Sequence, residues 1–510
     1  MSGKPAQPPG LGRRELLAGI GAAALTTGLP ARAALSTRDV TDWDLTTDVL
    51  VAGSGAAGIS AALAARAAGA QVLVLESLPR FGGSSAMSGG VVYAGGGTAL
   101  QRARGIKDRP EDMYAFLVGA GAPHPQLDKI EFYCADSVAH FDWLVAQGVP
   151  YSDKFTAAKG LPIGDESLYY SGNELAWPAR DLATPAPRGH VPGVPGMTGG
   201  RTLMAALLAK ARSAGVGMQS RSAGEQLVLE SDGSVAGMRV SMNGEQRNIR
   251  ARRGVVLASG GFIHNPDMLR RYATELSDCS VPWGNAGDLG VGIVMGMAAG
   301  GAALQMHHGF AIAPVYPPEH VLAGIIVNAQ AQRFVAEDSY HGVLGHHIAY
   351  HQGGKAWLIT DDDSNFGFHQ DNFLQVGEAN TIGDLAVEVG FPQSALQHTV
   401  AYYNRFAASG RDPLFHKSRD YLRPVQGPPY RAWNLSVDKA FFPAHTFGGL
   451  QTSVDGEVVN SFGEVIPGLY AAGRTSAGLP MAPYIASGLS VGDCTFFGRR
   501  AGQHAGERQS

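Results

Sequence analysis

A chain of 510 residues is longer than one hydrophobic core serves, so two domains are expected, one of them split by the other. Apolar residues make up 45%, charged residues 16%, and the net charge is −4, so no basic excess speaks for nucleic acid. The three cysteines, Cys134, Cys279 and Cys494, stand far apart in no CxxC, CxxCH or metal spacing, which argues against a disulfide framework, covalent haem and a thiolate metal site.

In chain order the first signal is Gly12-Arg13-Arg14-Glu15-Leu16-Leu17, leading into a weakly hydrophobic alanine- and glycine-rich stretch and then Ala31-Arg32-Ala33. Residues 1–33 read as a twin-arginine export signal; a disordered tail or an ordinary secretory signal is the plainer alternative. An extracytoplasmic, periplasmic location is expected. No later apolar run approaches the roughly twenty residues needed to span a bilayer.

Residues 48–76 follow the order strand, glycine turn, helix, strand. In Gly53-Ser54-Gly55-Ala56-Ala57-Gly58, Gly53 permits the tight turn, Gly55 lets backbone approach a pyrophosphate, and Gly58 allows the helix to pack on the strand. The N–H groups of the helix start, at Ala56 and Ala57, then face phosphate oxygens. Glu76 falls about twenty residues on, where a carboxylate accepts from ribose hydroxyls. A dinucleotide is implied; this stretch alone leaves NAD and FAD equally open.

Next comes Arg80-Phe-Gly82-Gly83-Ser84-Ser85-Ala86-Met87-Ser88-Gly89-Gly90, a small-residue loop able to wrap a pyrophosphate and lie flat against a flavin. Two more apolar runs end in glycine: Gly254-Val-Val-Leu-Ala258-Ser259-Gly260-Gly261-Phe262 and Gly468-Leu-Tyr-Ala-Ala-Gly473-Arg474. Each alone is more often a core strand and its turn. Three such strands spread along the chain fit one sheet assembled around a long ligand, which favours FAD.

The set GSGAAG, FGGSSAMSGG, GVVLASGGF, QRFVAEDSYHG, HTFGGLQTSVDG and IPGLYAAGRTSAG, in this order, resembles the FAD-dependent fumarate reductase and 3-ketosteroid dehydrogenase superfamily. The resemblance implies an α/β fold: a Rossmann-like, glutathione-reductase-type FAD domain built from residues 44–281 and 425–506, with an α+β catalytic cap, 282–424, inserted. Members with covalent flavin carry a histidine before the glycine-rich loop; residues 82–90 hold none, so non-covalent FAD is expected. In this family the stretch Gly488-Leu489-Ser490-Val491 starts a helix whose N–H groups face the flavin and favour its reduced, negative form.

Substrate class turns on the polar groups near the flavin. Fumarate reductases of the superfamily grip a dicarboxylate with arginines, one in a late HGxNRxGG segment; the equivalent residues 478–490 contain no arginine. Two carboxylates without fixed positive partners are costly in a desolvated site. His445 stands where fumarate reductases keep a substrate histidine, or it satisfies backbone groups near the flavin.

Tyr340 lies in the segment where ketosteroid dehydrogenases carry a catalytic tyrosine; a core-packing role is the alternative. Arg333 and Glu337, four apart, are expected to pair and order that segment. Tyr484 and Ser487 precede the late helix. The ending, with Leu168-Tyr169-Tyr170-Ser171-Gly172-Asn173-Glu174 and Pro185-Ala-Pro-Arg188-Gly189-His190, looks closest to 3-ketosteroid Δ4-(5α)-dehydrogenases. Those carry Tyr-x-Ser-Gly; this chain reads Tyr484-Ile-Ala-Ser487-Gly, one residue longer, so Tyr484 is displaced or the loop bulges. Tyr170 is a weaker candidate for lining the substrate pocket.

The chemistry expected is removal of hydrogen from a carbon pair beside a ketone. One group polarises the carbonyl, a base takes the α proton, and flavin N5 accepts hydride from the neighbouring carbon. Tyr340, Tyr484 and Ser487 are the candidates, with Tyr484 or Ser487 as base. Two other readings are an exported reductase of an unsaturated acid or enone, and an FAD electron-transfer protein with no substrate of its own. The electron partner is not legible. His307, His308, His341, His346, His347 and His351 are read as cap packing and hydrogen-bond donors, not a metal site.

Overall fold

The computed structural model describes residues 33–119, 123–158, 160–315, 323–364 and 374–509. The export signal expected over 1–33 lies, Ala33 excepted, outside the described residues. At the centre is a parallel sheet made from the apolar runs that end in glycine. Strand Leu45–Ala52 pairs in parallel with Val72–Leu75 on one side and Glu245–Leu257 on the other, and Glu245–Leu257 pairs in parallel with Val465–Ala471. Unbroken burial from Thr47 to Ala52 is what a strand covered on both faces requires. An antiparallel extension, Ser222–Leu229 and Val235–Met242, pairs with the first half of Glu245–Leu257.

Register decides what this sheet can bind. Leu75 and Leu257 both stand opposite Ala52, and Ala471 stands opposite Leu257. Four strands therefore end level, and the chain leaves them at Gly53, Glu76, Ala258 and Ala472. In open α/β sheets ligands bind outside such carboxyl ends.

The helix that follows Gly53, Ala56–Ala67, is buried from Ala56 to Ala65, which is why alanine and glycine dominate it. The C-terminal helix Leu489–Glu507 lies along it. Gly498, Gly502 and Gly506 oppose Ala57, Ala61 and Ala65; a Cβ on Gly502 would stand 2.0 Å from Ala61 O. Since contacts advance together along both segments, the helices run parallel. The C-terminal helix then begins about 13 Å beyond the level of Ala57, nine residues at 1.5 Å each.

The cap holds a four-stranded sheet in the order Ile325–Val327, Trp357–Thr360, Tyr430–Asn434, Leu374–Ala379. Helices Ile382–Val389 and Gln393–Ala407 share a core with it through Leu385, Leu396 and Val400. The expected cap boundary at 424/425 needs correction, because strand Tyr430–Asn434 pairs inside this sheet. The two connections are themselves joined: Val281–Pro282 pairs with Pro443–Thr446, which also pairs with Gly309–Ala311. Return to the FAD domain thus comes after Thr446. That pairing is non-local, so nothing near residue 425 announces it.

Within the cap, Arg333 does pair with Glu337, at 2.8 Å, and adds Asp412 through two nitrogens at 3.0 and 2.9 Å. Lys417 Nζ lies 3.4 Å from Glu337. All four side chains are buried, 3% exposed or less. Burial alone raises the Glu337 and Asp412 carboxyls; the Arg333 charge and its hydrogen bonds overcome this and leave both below their ordinary range. The cluster fixes the loop that ends at Tyr340.

Removing Arg333 leaves two carboxylates buried without their main partner. Arg333→Met is expected to cost about 3–5 kcal/mol, read by denaturant unfolding. Because both carboxyls are depressed, their contribution is full above the ordinary values of 4.5 and 3.8 and is lost as pH falls through the folded values. The wild-type melting temperature should drop on that acid limb, and the Arg333→Met limb should be flatter.

Candidate active site

The level strand ends open into a cleft of about 1030 Å3. Gly53, Gly55, Ala56, Ala57 and Glu76 line it with Gly83, Ser84, Ser85, Ser259, Gly260 and Gly473. Each glycine meets a distinct demand. Gly53 has φ +113, and a Cβ there would stand 2.2 Å from Ala258 O. Gly58 faces away from the cleft and packs under the turn, where a Cβ would meet Gly53 O at 1.9 Å. Gly55 is different: the nearest protein atom to its Cβ position is Ser85 Oγ at 3.5 Å, an ordinary contact. Packing therefore does not require glycine at 55. Bare backbone there leaves room for a ligand to approach this wall closely.

The donor set suits a phosphate-rich, ribose-bearing group. The Ser85 hydroxyl accepts from Ala56 N–H at the helix start, at 3.0 Å. Glu76 Oε2 accepts from the Ser54 hydroxyl at 2.6 Å and backbone N–H at 3.2 Å, and Oε1 from Leu78 N–H at 2.9 Å and the Ser77 hydroxyl at 3.4 Å, which aims the carboxylate at the cleft. Arg474 donates through Nη2 to Asp288 at 2.6 Å, and Ser84 donates to the same carboxylate oxygen at 2.8 Å. Arg474 Nη1 is buried with no acceptor among the described residues. The glycine walls, the helix N-terminus and this donor fit FAD.

Asp288, Arg474, Ser54, Ser222 and Asn285 also line the cleft and were missed as site residues in the sequence. Arg474 directly follows the quoted Gly473 and could have been taken with it. Asp288 and Asn285 sit in the entry to the cap with no motif around them. Gly89, Gly90, Gly488, Leu489, Ser490 and Val491, expected against the cofactor, are not among the residues lining this cleft. Gly90 instead makes room for Gly199, whose carbonyl carbon lies 2.2 Å from its Cβ position. Leu489 and Val491 are buried in apolar clusters, since alternate faces of a packed helix start must be filled. Gly488, at φ +102, turns the chain into the C-terminal helix.

Beyond that helix start the catalytic candidates come together. Tyr340 Oη and Ser487 Oγ are 2.6 Å apart. Tyr484 Oη accepts from Ser490 N–H at 2.9 Å and from the Ser490 hydroxyl at 3.0 Å. The extra residue in Tyr484-Ile-Ala-Ser487 is absorbed by pairing: Ala486 bridges Gly172, and Ser487 N–H donates to Ser171 O at 2.8 Å. Tyr484 is thereby seated on the first turn of the helix while Ser487 reaches Tyr340.

The surroundings are aromatic. The Phe310 ring lies 4.5 Å from Tyr484 and runs parallel to Tyr340 and Phe447, 6.4 Å from each. His445 stands edge-on to Phe310 and Phe447, at 5.3 and 5.1 Å. Burial, and secondarily Arg474, hold His445 well below the usual imidazole range, so it is neutral at pH 7. Burial pushes the Tyr484 phenol up to about 12, against the pull of the Ser490 bonds. Tyr170 is half-buried and packs edge-on against Phe155 at 6.4 Å. Among the described residues no group of three or more His, Cys, Asp or Glu could hold a metal ion.

The site thus brings together two hydroxyls, Ser487 and Tyr340, and beside them a separate phenol, Tyr484, whose oxygen already receives two donors. That phenol is a strengthened donor toward a carbonyl. If the pyrophosphate lies on Gly55, Gly55→Ala should leave the apo-protein's melting temperature unchanged and weaken FAD binding about ten- to hundredfold, read by flavin absorbance on dilution. Unchanged retention removes Gly55 from the contact.

Comparison with known proteins bears on the whole chain. A family model described as an FAD binding domain matches residues 48–485. A 3-oxo-5-alpha-steroid 4-dehydrogenase of Comamonas testosteroni is 30% identical, over 85% of this chain and 94% of that one. The crystal structure of a 3-ketosteroid-delta4-(5alpha)-dehydrogenase from Rhodococcus jostii, in complex with 4-androstene-3,17-dione, superposes with TM-score 0.88 at 39% identity, covering 93% and 100%. A flavocytochrome c3 fumarate reductase in an open conformation is 26% identical with TM-score 0.65, covering 92% of this chain and 80% of that one. The chain accordingly belongs to the FAD-binding oxidoreductase superfamily of fumarate reductases and 3-ketosteroid dehydrogenases, and it is an FAD-dependent enzyme.

Proposed function

We propose that this enzyme introduces a carbon–carbon double bond beside the ketone of a 3-ketosteroid or a similar cyclic ketone. The observation that carries the reading is the 2.6 Å contact between Ser487 and Tyr340, on an aromatic wall that also presents Tyr484. Tyr484 donates to the substrate carbonyl, which acidifies the adjacent carbon. Ser487 takes the proton from that carbon as its own hydroxyl proton passes to Tyr340, which enters the step as the phenolate and leaves it as the phenol. FAD, when bound, supplies acceptance of the hydride from the neighbouring carbon.

Three features speak against a dicarboxylate. Residues 478–490 contain no arginine, and Arg474, which lines the cleft, is engaged with Asp288. His445 is held neutral. Fused apolar rings, by contrast, match Phe310, Phe447 and the tyrosine faces, and their burial against this wall supplies binding without charge. The relatives named for ketosteroid oxidation agree with this choice.

Flavin bleaching under anaerobic addition of 3-ketosteroids and cyclic ketones tests the reaction. Tyr340→Phe and Ser487→Ala should each slow it about a hundredfold. The double variant should be little slower than either, because the two act as one relay. Wild-type rates in either single variant would remove the relay from the mechanism.

We further infer non-covalent FAD, loaded in the cytoplasm before the folded protein is exported through the twin-arginine route, with an acceptor outside the chain taking the electrons. The Arg13-Arg14 pair and the absence of histidine from residues 82–90 support this. Replacing both arginines by lysine should leave FAD-loaded protein in the cytoplasmic fraction. Unimpaired export of that variant would overturn the route.

A further inference from the structure

Tyr340 belongs to the cap and Ser487 to the FAD domain, so their contact depends on how closely the two are held. The small sheet of Val92–Tyr93, Gly189–His190, Leu168–Tyr169 and Phe155–Thr156 delivers residues 171–173 to this seam. There they form a short antiparallel ladder with residues 485–487. Gly172 bridges Ala486, Asn173 N–H donates to Ile485 O at 2.9 Å, and Ser487 N–H donates to Ser171 O at 2.8 Å. Gly172 is glycine because a Cβ would lie 2.4 Å from the Ala486 Cβ.

Across the seam, Asn173 Oδ1 accepts the Tyr340 backbone N–H at 2.9 Å. Only the carbonyl end of the carboxamide accepts an N–H, so the orientation of Asn173 is set. Tyr340 is the residue before helix His341–His346, and no side chain of its own segment caps that start. Asn173, 4% exposed, does so from the other domain. Tyr340 is therefore held at both ends by one ladder: its backbone by Asn173, its phenol by Ser487. The same strap grips the cap a second time, where Trp177 stacks 4.6 Å from His416 and Arg180 donates to His416 O at 3.0 Å. Lys417, the next residue, reaches the buried Glu337 that orders the loop ahead of Tyr340.

We propose that Asn173 is a positioning residue that sets the Tyr340 to Ser487 distance, and with it the proton relay; the proposal rests on the dehydrogenase reading above. With the cap seated and the Asn173 acceptor gone, the Tyr340 N–H is buried without a partner, a cost paid only in the seated arrangement. The Asn173 carbonyl thus favours the geometry in which the relay is formed, without touching the reacting atoms.

The test compares FAD-loaded wild-type enzyme with Asn173→Leu, which keeps the branched shape and removes the acceptor, and Asn173→Asp, which keeps an acceptor. In Asn173→Leu, kcat for the ketone that bleaches the wild-type flavin should fall about ten- to hundredfold, with KM changed by less than about threefold. The kinetic isotope effect with substrate deuterated at the α carbon should rise. Asn173→Asp should recover kcat to within about threefold of wild type. Amide hydrogen exchange of Tyr340 supplies a measure that needs no substrate: protected in wild type and Asn173→Asp, and at least about tenfold faster in Asn173→Leu.

Wild-type kcat in Asn173→Leu overturns the proposal, as does a Tyr340 amide unprotected in the wild-type protein, a result available even if the leucine variant fails to fold. Should the wild type oxidise no cyclic ketone, the dehydrogenase reading falls with the relay. Protection of the Tyr340 amide then still decides whether Asn173 holds this residue.

Discussion

Gly53 carries its turn against Ala258, Gly58 carries its helix against Gly53, and Gly498, Gly502 and Gly506 carry the C-terminal helix against Ala57, Ala61 and Ala65. In each case backbone meets backbone or a single methyl, at distances where any larger side chain collides. The consequence is geometric. Two parallel helices lie close over level strand ends, one starting at the phosphate-binding turn and the other about 13 Å further on. One cofactor can then be held at one end by glycine turns and served at the other by the site that Gly488 opens. Without that tight packing the cleft and the catalytic groups would have no fixed separation.

At the far end the chemistry is set by neutrality. Arg474 is matched by Asp288, His445 is kept uncharged by burial, and Tyr484 is a buried phenol. A desolvated site of this kind handles a proton by short hydroxyl contacts and stabilises developing charge with hydrogen-bond donors. Tyr484 Oη receives two donors from Ser490 at the helix start, and Ser487 meets its hydroxyl partner, Tyr340, from a different domain. In the mechanism proposed, the cap contributes Tyr340, whose loop the buried Arg333 cluster precedes and whose backbone N–H Asn173 accepts.

Much of this was legible in the residues. The glycine turn, the Glu76 carboxylate and the glycine-ended strands do come together on one cleft, and Tyr340 does meet Ser487, because each is encoded by a short local pattern. The Arg333–Glu337 pair was visible from its spacing of four, while its partners Asp412 and Lys417, some eighty residues away, were not. Tyr484 was ambiguous for a definite reason. An inserted residue is resolved by what it pairs with, and Ala486 pairs with Gly172, more than three hundred residues earlier. Asp288 and Asn173 escaped notice because a lone Asp or Asn carries no pattern.

By itself, then, the amino-acid order determined the parts: which segments are strands, where backbone must be bare, that a dinucleotide is held, and which hydroxyls are available for proton transfer. Those are decided by φ, by side-chain volume and by the charge of single residues, all of which are local. Only the tertiary structure decided the end of the cap, the seating of Tyr484 on the last helix and the joining of Tyr340 to both Ser487 and Asn173. Each of these depends on hydrogen bonds between residues distant in sequence, the Ala486 to Gly172 bridge in the case of Tyr484, and those partners are chosen by how sheets and domains pack rather than by any neighbouring residue.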